Sequence, residues 1–173
     1  VNWAVAKKGF GYDFAGSYSV LDAPFGTKVY EVNDDFTMEF WFKSSDVNEC
    51  MVSTGSYNTT LQIGNLDAWS IGLDGQGRIS IDHNLNNGST LLMNSSDSFN
   101  NGLWHHLSIV KNAKSTTTLF VDGIEQSSCS SELTRGFGSP QLTIGAKQYR
   151  NSSDYEYSEY FSGKIDEFRL WNL

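Results

Sequence analysis

Phe36-Thr37-Met38-Glu39-Phe40-Trp41-Phe42-Lys43 decides the fold. Every even position is apolar, while Thr, Glu, Trp and Lys take the odd ones. A period of two puts Phe36, Met38, Phe40 and Phe42 on one face of a strand and turns that face into a core. No helical spacing competes with the alternation here.

Working outward, the same pattern recurs. Trp69, Ile71 and Leu73 alternate, Asp74-Gly75-Gln76-Gly77 turns the chain, and Ile79 and Ile81 resume the alternation, which is a hairpin. Trp104 to Lys111 and Thr117 to Val121 form a second pair across Asn112-Ala113-Lys114-Ser115, and Asp122-Gly123 supplies a further tight turn before Ile124. Leu142 and Ile144 mark another strand, which ends at Gly145. In the last strand Phe168 and Leu170 share a face but Ile165 falls out of phase, so the spacing predicts a bulge at Asp166-Glu167.

The pattern predicts about ten to thirteen short strands. Pro24 and Pro140 both sit in turn-like contexts. No repeat of 20–50 residues suggests a propeller or solenoid. So many strands must either close into a barrel or stack as two sheets, and the reading is an all-β, two-sheet antiparallel sandwich.

Composition narrows the function. The 173 residues carry 12 basic against 20 acidic side chains, a formal charge of −8, and 14% aromatics. Disordered chains lack such aromatic content. The acidic balance repels a phosphate backbone, which argues against nucleic acid as a partner. No apolar run reaches the roughly 18–20 residues of a membrane span, and no charged-then-apolar leader opens the sequence, so membrane insertion is not expected.

Cys50 and Cys129 lie 79 positions apart, and neither belongs to a CxxC pair, which argues against zinc and dithiol redox chemistry. Either they form a disulfide, worth about 4–5 kcal/mol for so long a loop, or both are buried thiols. The even count, together with Asn-x-Ser/Thr sequons at Asn58, Asn87, Asn94 and Asn151, favours the disulfide, glycosylation and secretion.

One segment departs from the pattern. Residues 145–162 form a long polar excursion carrying Tyr149, Arg150, Tyr155, Tyr157 and Tyr160. Tyrosines offer flat apolar faces tipped with hydroxyls, suited to stacking on a sugar ring or anchoring a protein contact, and Arg150 adds a forked donor. These five residues are the candidate ligand site. The alternative is that the tyrosines pack the loop onto its own sandwich. Asn84, Asn86 and Asn87 offer further amide contacts.

Several stretches together resemble a known family. They are Phe36 to Lys43, Trp104-His105-His106-Leu107-Ser108-Ile109-Val110-Lys111, Leu119-Phe120-Val121-Asp122-Gly123, Leu142-Thr143-Ile144-Gly145, and Phe161-Ser162-Gly163-Lys164-Ile165-Asp166-Glu167-Phe168-Arg169-Leu170-Trp171-Asn172. In order and spacing they are similar to the laminin G-like jelly rolls of the concanavalin A-like lectin and glucanase superfamily, over residues 10 to 172. The resemblance implies a jelly roll. At roughly 100–200 residues per domain the expectation is one domain over residues 1–173, and the opening Val1-Asn2-Trp3 without a targeting segment suggests a mature domain or one excised from a longer extracellular protein.

The superfamily includes glucanases, so catalysis needs a test. A retaining glycosidase places two carboxyls about 5–5.5 Å apart, which a Glu-x-Asp-x-Glu strand achieves; no such string occurs. His105 and His106 are adjacent on a strand and point to opposite faces, so they do not share a metal, and His83 reads as a surface residue. The resemblance also brings calcium as a possible cofactor. The family's acidic Phe-Asp-Gly run is replaced here by Phe14-Ala15-Gly16-Ser17-Tyr18 after Asp13, leaving Asp97 and Asp166 as candidate ligands. The expectation is a non-catalytic extracellular or cell-surface module that binds a glycan, with a cell-surface protein as the alternative partner and glycoside hydrolysis as a third reading.

Overall fold

The computed structural model describes residues 1–24, 35–54, 68–85, 88–112, 116–130, 141–150 and 155–172. Among the described residues there are fifteen strands and no helix. In chain order they are β1 (Asn2–Val5), β2 (Phe10–Ala15), β3 (Leu21–Pro24), β4 (Phe36–Ser44), β5 (Glu49–Thr54), β6 (Ala68–Leu73), β7 (Arg78–Leu85), β8 (Gly88–Ser98), β9 (His105–Asn112), β10 (Thr116–Val121), β11 (Ile124–Cys129), β12 (Gln141–Ile144), β13 (Lys147–Arg150), β14 (Tyr155–Ser158) and β15 (Ser162–Asn172).

A seven-stranded sheet runs β1-β2-β15-β4-β9-β10-β11, and a six-stranded sheet runs β3-β12-β5-β6-β7-β8. The two layers stack as expected of the sandwich. Phe40 and Ile109 are buried together with Met38, Phe42 and Leu107 from the first sheet and Ile71, Leu73, Ile79 and Ile81 from the second. Each such side chain contributes about 1.5–3 kcal/mol by leaving water. The alternation is visible along β4, where Phe36, Met38, Phe40 and Phe42 are inside and Trp41 is outside, its ring 5.0 Å from His106 with the Lys7 ammonium 4.4 Å above it.

The hairpins read from the sequence are present. Leu73 pairs with Ile79 across the Asp74–Gly77 turn, and Val121 pairs with Ile124 across Asp122-Gly123, both of which have positive φ (53° and 77°). β9 and β10 pair as expected. The bulge in β15 is also where the spacing placed it. Asp166 pairs with Trp41 and Arg169 with Glu39, so the strand carries one extra residue, and Glu167 takes φ 53°. That insertion brings both Ile165 and the Phe168–Leu170 pair onto the core.

Three expectations change. There are more strands than about thirteen, because residues 145–162 are not a plain loop. β13 and β14 pair there as a hairpin, Lys147 opposite Ser158 and Arg150 opposite Tyr155; tyrosine favours extended backbone, and the polar neighbours suit a pair lying at the surface. Asp97, expected from the sequence in a loop over residues 94–101, lies instead in strand, at the end of β8. The Cys50–Cys129 disulfide is absent. Cys50 lies in β5, with its Sγ 3.4 Å from Val52 O and 3.6 Å from Ile71 O. Cys129 ends β11, the far edge of the other sheet, which packs beside β8. β8 stands three strands from β5, a lateral offset of roughly 14 Å at the usual strand spacing, well beyond disulfide reach.

Candidate functional site

The outward half of the alternation in β6 and β7 is unusual for being so small. Trp69, Ile71, Leu73, Ile79 and Ile81 fill the core, leaving Ser70, Gly72, Ser80 and Asp82 to face away from it. Register aligns these into two rows across the sheet. Cys50 pairs with Gly72, Gly72 with Ser80 and Ser80 with Asn94; Ser53 pairs with Ser70, Ser70 with Asp82 and Asp82 with Leu91. Short side chains in the middle of both rows make a trough of about 520 Å³.

The other half of this sheet face is roofed by the β13–β14 hairpin. Ser53 Oγ accepts Gln148 N at 2.9 Å and donates to Ala146 O at 2.8 Å. Tyr157 donates its hydroxyl to Asp22 Oδ2 at 2.6 Å, and Thr143 donates to Asp22 Oδ1 at 2.6 Å. Cys50 N donates to Glu159 O at 2.7 Å. The hairpin therefore covers β3, β12 and β5, and leaves β6 to β8 open. Its ends supply Lys147 and Glu159 as one wall, while Leu91 and Asn94 of β8 form the other.

Among the described residues the charges in the trough are arranged in pairs except at Glu49, which accepts Ser162 N, and at Asp82. Arg78 bonds Asp74 (2.7 Å), and Lys147 bonds Glu159 (3.1 Å). Burial would raise the Asp74 carboxyl, but the Arg78 and Gln76 N–H donors outweigh it and hold it below its ordinary value. Asp82 is half-buried, and no donor among the described residues reaches it. Burial pushes its carboxyl up; Lys147 pulls it back, while Glu159 and Asp74 push further.

Of the candidate tyrosines, Tyr149 lies in β13 and Tyr155 and Tyr157 in β14, with Tyr160 just beyond. The Tyr157 hydroxyl is engaged by Asp22, and the Tyr160 ring stands 5.6 Å from Tyr18. The side chains of Tyr149, Arg150, Tyr155, His83 and Asn84, and residues Asn58, Asn86, Asn87 and Asn151, lie outside the described residues. The groove itself was not singled out from the sequence; its signal was the run of Ser, Gly and Asp in the outward positions of two consecutive strands.

The remaining candidates take structural places. His105 and His106 do point to opposite faces: His105 bonds Asp122 and Asn101, and His106 faces Glu39. Asp166 is buried and already accepts Lys8 N and Glu167 N, both at 2.8 Å. Among the described residues no three His, Cys, Asp or Glu side chains gather into a cluster.

A sequence profile of the laminin G type, from the concanavalin A-like lectin/glucanases superfamily, matches residues 15–173. The chain belongs to this family. Relatives and structures similar to this laminin G-type domain agree. A rat protein, "Sushi, von Willebrand factor type A, EGF and pentraxin domain-containing protein 1", is 25% identical over 95% of the chain, which spans only 4% of that relative's length. Two solved structures share the fold at 17% identity: the LG1-3 region of the laminin alpha2 chain (TM-score 0.66, 91% of this chain and 30% of that one) and domain 4 of the Geobacillus stearothermophilus extracellular arabinanase AbnA in complex with arabinotriose (TM-score 0.68, 98% and 74%).

Proposed function

We propose that this laminin G-type domain is a non-catalytic extracellular recognition module that binds a saccharide in the groove of the six-stranded sheet, on a cell surface or in a matrix. The carrying observation is the trough over Ser70, Gly72, Ser80 and Asp82, polar along its floor and wide enough for a sugar unit. Arg78 and Asn94 offer N–H donors, the Asp82 and Glu159 carboxylates accept, and Leu91 gives an apolar ledge. The fold it shares with an arabinanase domain bound to arabinotriose supports the reading. We extend the site to Tyr149, Arg150, Tyr155, Tyr157 and Tyr160, in and just beyond the hairpin whose base forms one wall of the groove.

An array of immobilised oligosaccharides tests this with the wild-type chain and Ser80→Tyr, which fills the trough without touching the core. Saturable hits that vanish in the variant, at unchanged melting temperature, are expected. Hits that survive Ser80→Tyr would move the site elsewhere; a silent array would remove the saccharide.

One observation favours a protein partner instead. Trp3, Val5 and Phe10 are 69%, 73% and 69% exposed on the edge strand β1 and its neighbour β2, an apolar patch suited to a protein contact. A silent array with cell binding that is lost on Trp3→Ser would support that reading.

A further inference from the structure

We propose that Asp82 sets the ligand class of the groove, accepting hydroxyls from an uncharged saccharide and excluding acidic ones. This rests on the saccharide reading above.

Besides Glu49 and the Cys50 thiol, which burial keeps protonated, five ionisable side chains line the trough: Asp74, Asp82, Glu159, Arg78 and Lys147. Glu49 is occupied elsewhere, its Oε2 accepting Ser162 N at 2.8 Å. Both cations are already committed, Arg78 to Asp74 through Nε at 2.9 Å and Nη2 at 2.7 Å, and Lys147 to Glu159 at 3.1 Å. With burial pushing the Glu49 carboxyl up towards its neutral form, Asp82 is the carboxylate of the groove floor that no cation among the described residues pairs with. It lies directly between Ser70 of β6 and Leu91 of β8.

A half-buried carboxylate without a donor is costly to hold charged. Two adjacent sugar hydroxyls supply what it lacks, since each donates a charge-assisted hydrogen bond to one carboxylate oxygen. A sialyl, uronyl or sulfated unit brings a second anion into the same partly desolvated space. Among the described residues no unpaired cation lines the groove to meet it, and Arg78 and Lys147 each already hold a carboxylate. Repulsion at such short range, in a medium poorer in water than bulk, disfavours that ligand by tenfold or more.

An oligosaccharide array containing neutral, sialylated, uronylated and sulfated members tests the assignment with wild type and with Asp82→Asn and Asp82→Ser. Wild type should bind neutral members, with acidic derivatives of the same core at least tenfold weaker. Both variants should lose tenfold or more on the neutral members and narrow the neutral-to-acidic ratio. They should do so at unchanged or raised melting temperature, because a strained charge has been removed. Wild-type hits dominated by acidic glycans would overturn the assignment, as would neutral binding indifferent to both substitutions. Either result leaves the saccharide site itself standing. A wholly silent array removes the site, and the assignment with it.

Discussion

Asp122 Oδ2 lies 2.7 Å from His105 Nδ1, and the other Asp122 oxygen accepts His106 N at 2.8 Å. One carboxylate at a positive-φ turn position thereby ties the β10–β11 turn back onto the start of β9. Burial opposes its charge, but the two N–H donors outweigh that and hold the Asp122 carboxyl below its ordinary value of 3.8. A folded-state value below the unfolded one adds stability above the unfolded value, and this is lost as pH falls through the folded one. Asp122→Asn keeps a residue that tolerates the turn. It should cost about 1–2 kcal/mol at neutral pH. In denaturant titrations the gap between variant and wild type should close in acid; a gap independent of pH would contradict the account.

Asp166 holds the bulge in β15 by accepting two backbone N–H groups. Asp166→Ala leaves Lys8 N and Glu167 N without their acceptor and should cost about 2–4 kcal/mol. The melting temperature should fall equally in calcium and in chelator. A loss seen only with calcium present would instead make Asp166 a calcium ligand.

Phe40 is completely buried between the layers and stacks against Phe168 at 5.7 Å. Phe40→Ala should cost about 3–5 kcal/mol by transfer and cavity formation. A substitution that left the denaturation midpoint unmoved would contradict the packing.

The thiols give a direct chemical check. Burial pushes the Cys50 thiol far up, with Glu159 adding to it against Lys147, so Cys50 should resist alkylation in the folded chain. In denaturant without reductant, mass spectrometry should show both Cys50 and Cys129 alkylated. Mass gain only after reduction would show a disulfide.

Much of the fold was legible because core-facing residues announce themselves. Phe36 to Phe42 and Trp69 to Leu73 repeat every second position, and the phase slip between Ile165 and Phe168 located a bulge. The hairpin at β13–β14 was harder, since its residues are polar and tyrosine-rich, and its anchors, Ser53 and Asp22, are distant in sequence. The groove was harder still. Ser70, Gly72 and Ser80 matter there for being short, and only the pairing of β5 through β8 sets them side by side. The disulfide expectation failed for the same reason: cysteine count says nothing of which sheet each thiol joins.

Backbone amide shifts, followed by NMR during titration with a saccharide that the array identifies, test the central claim most directly. The account predicts saturable shifts clustered at Ser70, Gly72, Ser80, Asp82 and Asn94. Shifts confined to the opposite sheet, around Trp41, His106 and Trp171, with the groove amides unmoved, would contradict it.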